Sequence, residues 1–301
     1  MKDYSEFYYL MCGKLLGDGC ITKQDGRKPR LQFMHRTEDF GWVKHCYIQL
    51  RDYIPLNPPA YKRLIDTRLR NGFSESFFVQ SKTDPIITGL YELWYPEGKK
   101  KLPFQFIEKY LNHQALAWWY QDDGHLKKVN NTVQKVILST DSFSCEENSW
   151  LIQLLLNKFK LKFSQDGQNR LILYDQFQII YFLHLIAPFL HESMNRKSLP
   201  KQPLRRIAKR TTIYIPSKFK LEKPTREINE KLNLLSTLLS RGNKIVCLEH
   251  TFSTFNSLID NEKERKSYQV ELNEKHKLIL AKLCQQTGLT ISKLTEYCFS
   301  I

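Results

Sequence analysis

The sequence predicts an α+β protein in which one unit of helices and short strands occurs twice, followed by a mainly helical C-terminal extension. Three observations carry this. An apolar helical run ending in Asp-Gly occurs at "FYYLMCGKLLGDGCI" (7–21) and again at "HQALAWWYQDDGHLKK" (113–128), placing Asp18 and Asp123 105 residues apart. Each run is followed by the same succession of alternating and helical segments. Each half then closes on Lys-x-Leu-Pro, first at Lys100 to Pro103 and again at Lys197 to Pro200. Helices and hairpins recur in any α+β protein, but two landmarks returning in the same order are explained by duplication.

The first half, 1–104, opens on a proline-free helix that breaks at Gly17-Asp18-Gly19. "PRLQFMHRTEDF" then alternates as a strand does, "WVKHCYIQL" has helical spacing, "ESFFVQS" alternates again, and a further helix-like run closes the unit. The second half, 105–200, repeats this with "VQKVILSTDSF", "SWLIQLLLNKF" and "NRLILYD"; Phe33 and Leu138 fall at matching strand positions behind their aspartates. Residues 201–224 are basic and proline-punctuated, with Glu222 the only acid, and read as an extended linker that can follow phosphates. Residues 225–301 form an accessory module. It has a helix around "REINEKLNLLSTLLS" (226–240), and from 267 a short strand, a cap at Asn273, a helix, a break at Thr287-Gly288 and a second helix opening near Thr290 or Ser292.

The chain has 301 residues and a net charge of +15, which points to a polyanionic partner, nucleic acid ahead of an anionic membrane surface. No stretch approaches the roughly 20 apolar residues that span a bilayer, and no basic segment with an apolar signal core opens the chain, so a soluble protein with no membrane partner is expected. Seven scattered cysteines (Cys12, Cys20, Cys46, Cys145, Cys247, Cys284, Cys298), with no C-x-x-C pair, read as reduced thiols of an intracellular compartment, bacterial cytoplasm or organelle matrix or stroma. No protein-splicing junction is expected either, since the chain opens on Met1 and shows no terminal His-Asn.

A carboxylate at a helix C-terminus meets the negative end of the backbone dipole and is repelled by it. The repulsion acquires a purpose if the two helices descend side by side, with Gly13, Gly17 and Ala117 as the small residues of their contact. Asp18 and Asp123 then meet at two negative helix ends, Gly19 and Gly124 supply left-handed residues that end the helices tightly, and a hard divalent cation, Mg2+, relieves the charge.

"MCGKLLGDG" (11–19) and "LAWWYQDDG" (116–124) resemble the paired motifs of the LAGLIDADG homing endonucleases in their single-chain, two-motif form. The resemblance spans roughly residues 5 to 200 and is closest to the subgroup whose second motif ends in Asp-Asp-Gly. It departs at Met11 and Lys14, where aliphatic residues are usual, and at Trp118, which stands at a glycine position.

The resemblance implies a pseudo-two-fold αββαββα core with antiparallel DNA-binding sheets. It implies a magnesium-dependent endonuclease, encoded in a mobile intron or inserted element, that makes a staggered double-strand break at a long site. Asp18 and Asp123 would hold the metal, joined by backbone at Gly17 and Asp122, with the Asp122 side chain facing elsewhere. Lys100 and Lys197 would stand near the scissile phosphates, against the plainer reading of a solvated lysine before a proline turn.

Recognition would fall to strands in the major groove. Lys23, Arg27, Lys28, Arg30, Gln32, Lys62, Arg63, Arg68 and Arg70 are the candidates in the first half. Lys127, Lys128, Lys135, Lys162 and Arg170 are those in the second, with Gln24, Gln134 and Gln168 as further adenine readers. For any single one, phosphate contact or solvation outweighs base readout. The alternative function is a non-cutting relative, an RNA maturase for a group I intron or a DNA-binding regulator, which brings intron RNA in as a partner. The core is expected to be monomeric. From 267 the order of elements resembles a ribbon-helix-helix unit, which needs a second copy to complete its ribbon; either the protein self-associates through this tail, or the tail is a helical hairpin.

Overall fold

The computed structural model describes residues 4–130, 132–201, 203–236, 252 and 264–300. They fall in two compact units, one of Met1–Lys127, Val136–Ile172 and Ile186–Ser198, the other of Lys128–Lys135, Leu173–Leu185 and Leu199–Ile301.

The duplicated order is visible element by element. The first copy runs α1 (Ser5–Leu16), β1 (Cys20–Thr22), β2 (Arg30–Arg36), α2 (Phe40–Arg51), β3 (Ala60–Ile65), β4 (Phe73–Gln80) and α3 (Pro85–Trp94). After a short α4 (Phe104–Tyr110), the second runs α5 (His113–Asp123), β5 (Gly124–Val129), β6 (Thr132–Leu138), α6 (Cys145–Phe159), β7 (Ser164–Gln165), β8 (Leu171–Leu173) and α7 (Gln176–Ile186). The strand orders β1-β2-β4-β3 and β5-β6-β8-β7 are the same pattern. This is the αββαββα core, twice.

Local chemistry sets where these helices begin. Asp84 accepts from the Ile86 N–H (2.8 Å) with Pro85 opening α3, and Asn112 accepts from the Ala115 N–H (2.9 Å) to open α5. At α6, Ser144 and Glu147 form a reciprocal box, the hydroxyl accepting from the Glu147 N–H (3.1 Å) and the carboxylate from the Ser144 N–H (2.8 Å). Ser144→Ala is therefore expected to lower stability by about 1 kcal/mol, read as a reduced urea midpoint at unchanged slope.

Alternation in β2 sends Leu31, Phe33 and His35 inward and leaves Arg30, Gln32, Met34 and Arg36 outward. The inner face packs on α2 and α3, which bury Trp42, Val43, Cys46 and Leu50, and Ile87, Leu90 and Trp94. Leu138 is likewise buried at the end of β6.

Two expectations about the helix ends need correction. Gly19 and Gly124 are not left-handed; among the described residues the glycines with positive φ are Gly26, Gly72, Gly98 and Gly288. Gly124 has φ −79°, and what excludes a side chain there is the Tyr120 ring and carbonyl, while a Cβ at Gly19 would lie 2.5 Å from the Lys14 carbonyl oxygen. Close approach, not backbone handedness, requires these glycines. Asp18 also lies beyond α1, which stops at Leu16, whereas Asp123 is the last residue of α5.

In the second unit, residues 210–216 of the expected linker are a strand, β9 (Arg210–Pro216), because alternation buries Ile213 and Ile215. It pairs antiparallel with β10 (Arg265–Glu271). The ribbon expected to need a second copy is thus completed within one chain. α8 (Pro224–Leu232) covers the start of the helix expected at 226–240, whose residues 237–240 lie outside the described ones, as does Cys247. Asn273 caps α9 (Glu274–Thr287) by accepting from the His276 N–H (2.8 Å), left-handed Gly288 ends it, and α10 (Ile291–Ser300) follows. The six described cysteines are free thiols.

Candidate active site

The centre is built where α1 packs along α5. A Cβ on Gly13 would strike the Ala115 carbonyl and lie 2.7 Å from the Trp118 Cβ; one on Gly17 would lie 2.5 Å from the Asp122 Cβ. Gly13 and Gly17 are the contact residues expected. On α5 the groups that meet them are Ala115, Trp118 and Asp122, while Ala117 is buried and its carbonyl accepts from Gln121. Trp118 fits at a glycine position because its ring turns toward α2, meeting Trp42 edge-on at 5.2 Å and His45 at 6.0 Å.

Lys14 is completely buried on α1, over the rings of Phe33 (4.8 Å), Trp42 (5.2 Å) and Trp118 (5.6 Å). Burial opposes its charge, but the attraction and hydrogen bond of Asp122, together with Cys46 and Asp18, outweigh it and hold the ammonium above its ordinary pKa. Asp122 Oδ1 accepts from Lys14 Nζ (2.8 Å) and Trp42 Nε1 (2.8 Å), and Oδ2 accepts from the Asp18 backbone N–H (3.2 Å). The Asp122 side chain lies in a buried ion pair with Lys14 that also fixes the turn carrying Asp18, so its carboxylate stays beside Asp18 and His35 rather than facing away from them.

His35, from the inner face of β2, sits between these groups, with Nδ1 3.2 Å from Asp18 Oδ2 and Nε2 3.4 Å from Lys14 Nζ. Burial and then Lys14 push its pKa down to about 4, so the ring is neutral. Only one tautomer satisfies both contacts: Nδ1–H donates to Asp18 and Nε2 accepts from Lys14.

Asp18, His35 and Asp122 present ligand atoms within 4.8 Å of one another, the spacing of a cation's donors. The histidine uses both nitrogens, however, and Asp122 is neutralised by Lys14. The acids of the centre that are not ion-paired to a lysine are Asp18 and Asp123. Asp18 is pushed up to about 6 by burial and then Asp122, and Asp123 up to about 8 by burial, Asp18 and Asp122, with Lys100 and Lys197 opposing both shifts. Two hard oxygen donors held in mutual repulsion fit a divalent cation, which would favour their charged forms.

Both lysines of the Lys-x-Leu-Pro elements pack against the ends of the motif segments, Lys197 buried and Lys100 half-buried. Lys100 Nζ donates to the Gly19 carbonyl (3.4 Å), and Lys197 Nζ donates to those of Tyr120 (3.2 Å), Gln121 (2.6 Å) and Asp122 (3.1 Å). Burial lowers both pKa values, Lys197 to about 8. Lys197 is thus not a solvated lysine. The Asp122 carbonyl, expected to face metal, already accepts from Lys197.

These shifts set a pH dependence. A carboxyl whose folded pKa is raised stabilises the fold while protonated, and that stability is lost as pH climbs through the folded value. Below about pH 6.5 the depressed His35 and His45 act in the opposite direction. Between pH 6.5 and 8, metal-free protein is expected to lose about 1 kcal/mol through Asp123. Thermal melts should show this loss, magnesium should reverse it at pH 8, and Asp123→Asn should abolish it.

The outer face of the first sheet carries Arg30, Gln32 and Lys62, and also Arg36 and Gln80, which cross-strand register places beside them. Gln80 donates to Gln32 (3.5 Å), Arg30 donates to Gln80 (3.5 Å) and Gln32 donates to Cys20 Sγ (3.3 Å), so these side chains form one row. Arg63 takes the opposite parity and stacks on Phe73 at 3.7 Å. Lys23, Gln24, Arg27 and Lys28 are exposed before β2, and Arg68 and Arg70 between β3 and β4, where Arg68 forks onto Asp66. In the second copy Lys127, Lys162, Gln134 and Gln168 are exposed and Lys128 half-buried. Lys135 lies over Tyr174 at 5.6 Å, and Arg170 is engaged with Asp166 at 2.7 Å.

Residues 8–183 match the model of the LAGLIDADG DNA endonuclease family. The chain belongs to that family. The intron-encoded endonuclease ai4 of Dictyostelium discoideum is 32% identical to this LAGLIDADG chain over 114 residues, 36% of the chain and 67% of the relative. The cytochrome b mRNA maturase bI2 of Debaryomyces hansenii is 27% identical over 203 residues, 64% of the chain and 73% of the relative. The solved structure of the homing endonuclease I-WcaI bound to its DNA recognition sequence superposes with a TM-score of 0.57 at 22% identity, covering 66% of this chain and 88% of that one. It shares the fold. No helix among the described residues is long and apolar enough to cross a membrane.

Sequence reasoning on this LAGLIDADG chain assigned no role to Lys14, His35 or Trp42. Lys14 had a signal: a cation inside an apolar buried helix requires a counter-ion, and the extra acid of "QDDG" is its complement. His35 had a fainter one, the inward parity it shares with Phe33.

Proposed function

We propose that this chain is a site-specific DNA endonuclease that cuts both strands of a long target to leave a staggered break. The observation that carries the reading is that the acids of both motifs, Asp18 and Asp123, come to the ends of two abutting helices, each end contacted by the lysine of a Lys-x-Leu-Pro element. Asp18 and Asp123 would hold magnesium, with backbone at Gly17 as a further donor. Bound metal supplies a Lewis acid and an activated water for phosphodiester hydrolysis.

The chain's own residues do the rest. Lys14 and Asp122 fix the turn of Asp18, and His35 orients its carboxylate. Lys100 and Lys197 place positive charge where phosphate oxygens approach. The outer row of Arg30, Gln32, Arg36, Lys62 and Gln80 offers guanine and adenine readers to the major groove. A reducing intracellular compartment suits the free thiols.

A second reading, an RNA splicing factor on the same scaffold, is favoured by the likeness to the Debaryomyces maturase. Retention of both acids favours cleavage. Incubating purified protein with magnesium and a randomised DNA library, then sequencing the broken ends, should recover one recurrent staggered site. Intact DNA together with accelerated splicing of a group I intron RNA would install the second reading instead.

A further inference from the structure

The second unit holds a ribbon that the nuclease reading does not use. β9 and β10 pair over seven residues, from Arg210↔Glu271 to Pro216↔Arg265. One face is core: Ile213, Ile215 and Val270 are buried, with α8 packed on β10 and α10 on β9. A strand followed by a helix occurs twice around it, β9 with α8 and β10 with α9, so the antiparallel pairing sets two like copies face to face. The register puts Arg210, Thr212 and Tyr214 on the opposite face, across from Glu271, Gln269 and Ser267, and all six are exposed.

We infer that this ribbon is a second reader of duplex DNA, laying its outer face in the major groove. A B-form major groove, about 12 Å wide, admits a two-stranded ribbon, whereas the deep, narrow major groove of A-form RNA does not. Every side chain on the face carries hydrogen-bonding groups, with Gln269 suited to adenine and Arg210 to guanine. The one acid, Glu271, is paired with Lys209 (2.8 Å). The chain entering β9 is basic and exposed at Arg205, Arg206, Lys209 and Arg210, matching a phosphate backbone on either side of a groove. The Tyr214 N–H, on the edge away from β10, donates to Ser292 Oγ at the start of α10 (3.0 Å), which anchors the ribbon before any DNA arrives. One chain supplies both strands, so no second copy is required.

The test uses the full chain without divalent metal and a pool of randomised DNA duplexes, from which bound molecules are recovered and sequenced. Thr212→Ala/Tyr214→Ala/Gln269→Ala, all exposed positions, should melt as the parent does. It should lose a block of preferred bases and bind the parent's best duplex about tenfold or more weakly. Arg205→Ala/Arg206→Ala should weaken all duplexes alike and reduce the salt slope. Recovery of the same sequence at unchanged affinity by the triple variant overturns the inference, as does an RNA duplex that competes better than DNA. Cleavage takes no part in this measurement, so failure of the nuclease reading leaves its outcome intact.

Discussion

Asp18→Asn and Asp123→Asn are each expected to reduce double-strand cleavage by at least about a thousandfold, on the scale of losing a transition-state charge stabiliser, while binding to the same duplex survives. The two carboxyls are the groups of the centre that no lysine neutralises directly, and burial and then repulsion already raise both. Asparagine keeps the shape and removes the charge that would hold a cation. Asp123→Asn should also raise metal-free stability near pH 8, because it removes the repulsion. Cleavage and equilibrium binding, measured side by side on a recovered target, check the pair of outcomes. Full double-strand cutting by either variant removes that acid from the chemistry.

Lys14→Met should destabilise the fold by about 3–5 kcal/mol, since it leaves Asp122 as a buried carboxylate without its cation. The double variant Lys14→Met/Asp122→Asn should recover most of that loss: the amide oxygen can still accept from Trp42, and no buried charge remains. Urea denaturation of the four proteins in the cycle measures the coupling. A single variant as stable as the parent would show that the pair is not what holds the helices together.

Most of the core was legible because duplication leaves two readings of each element. Strand alternation in β2 and the spacing of α2 and α6 are local signals, and the second copy repeats them. The helix ends were less legible: the requirement for Gly19 and Gly124 comes from the Lys14 carbonyl and the Tyr120 ring, contacts invisible to a backbone-propensity argument. Lys14 and Asp122 stand 108 positions apart, so the two unusual residues read as separate oddities rather than as partners. The intrachain ribbon was missed for the same reason. β9 carries its alternation inside a run so basic that it read as linker, and its partner strand lies beyond a long intervening segment.

The ion pair across the helices also governs which half can associate with which. If the two copies were separate polypeptides, pairs of the first would enclose two ammonium groups with no carboxylate opposite, and pairs of the second would oppose Asp122 to Asp122 and Trp118 to Trp118. Only the mixed pair closes, so after duplication each half was committed to its neighbour and lost the option of standing as a symmetric dimer.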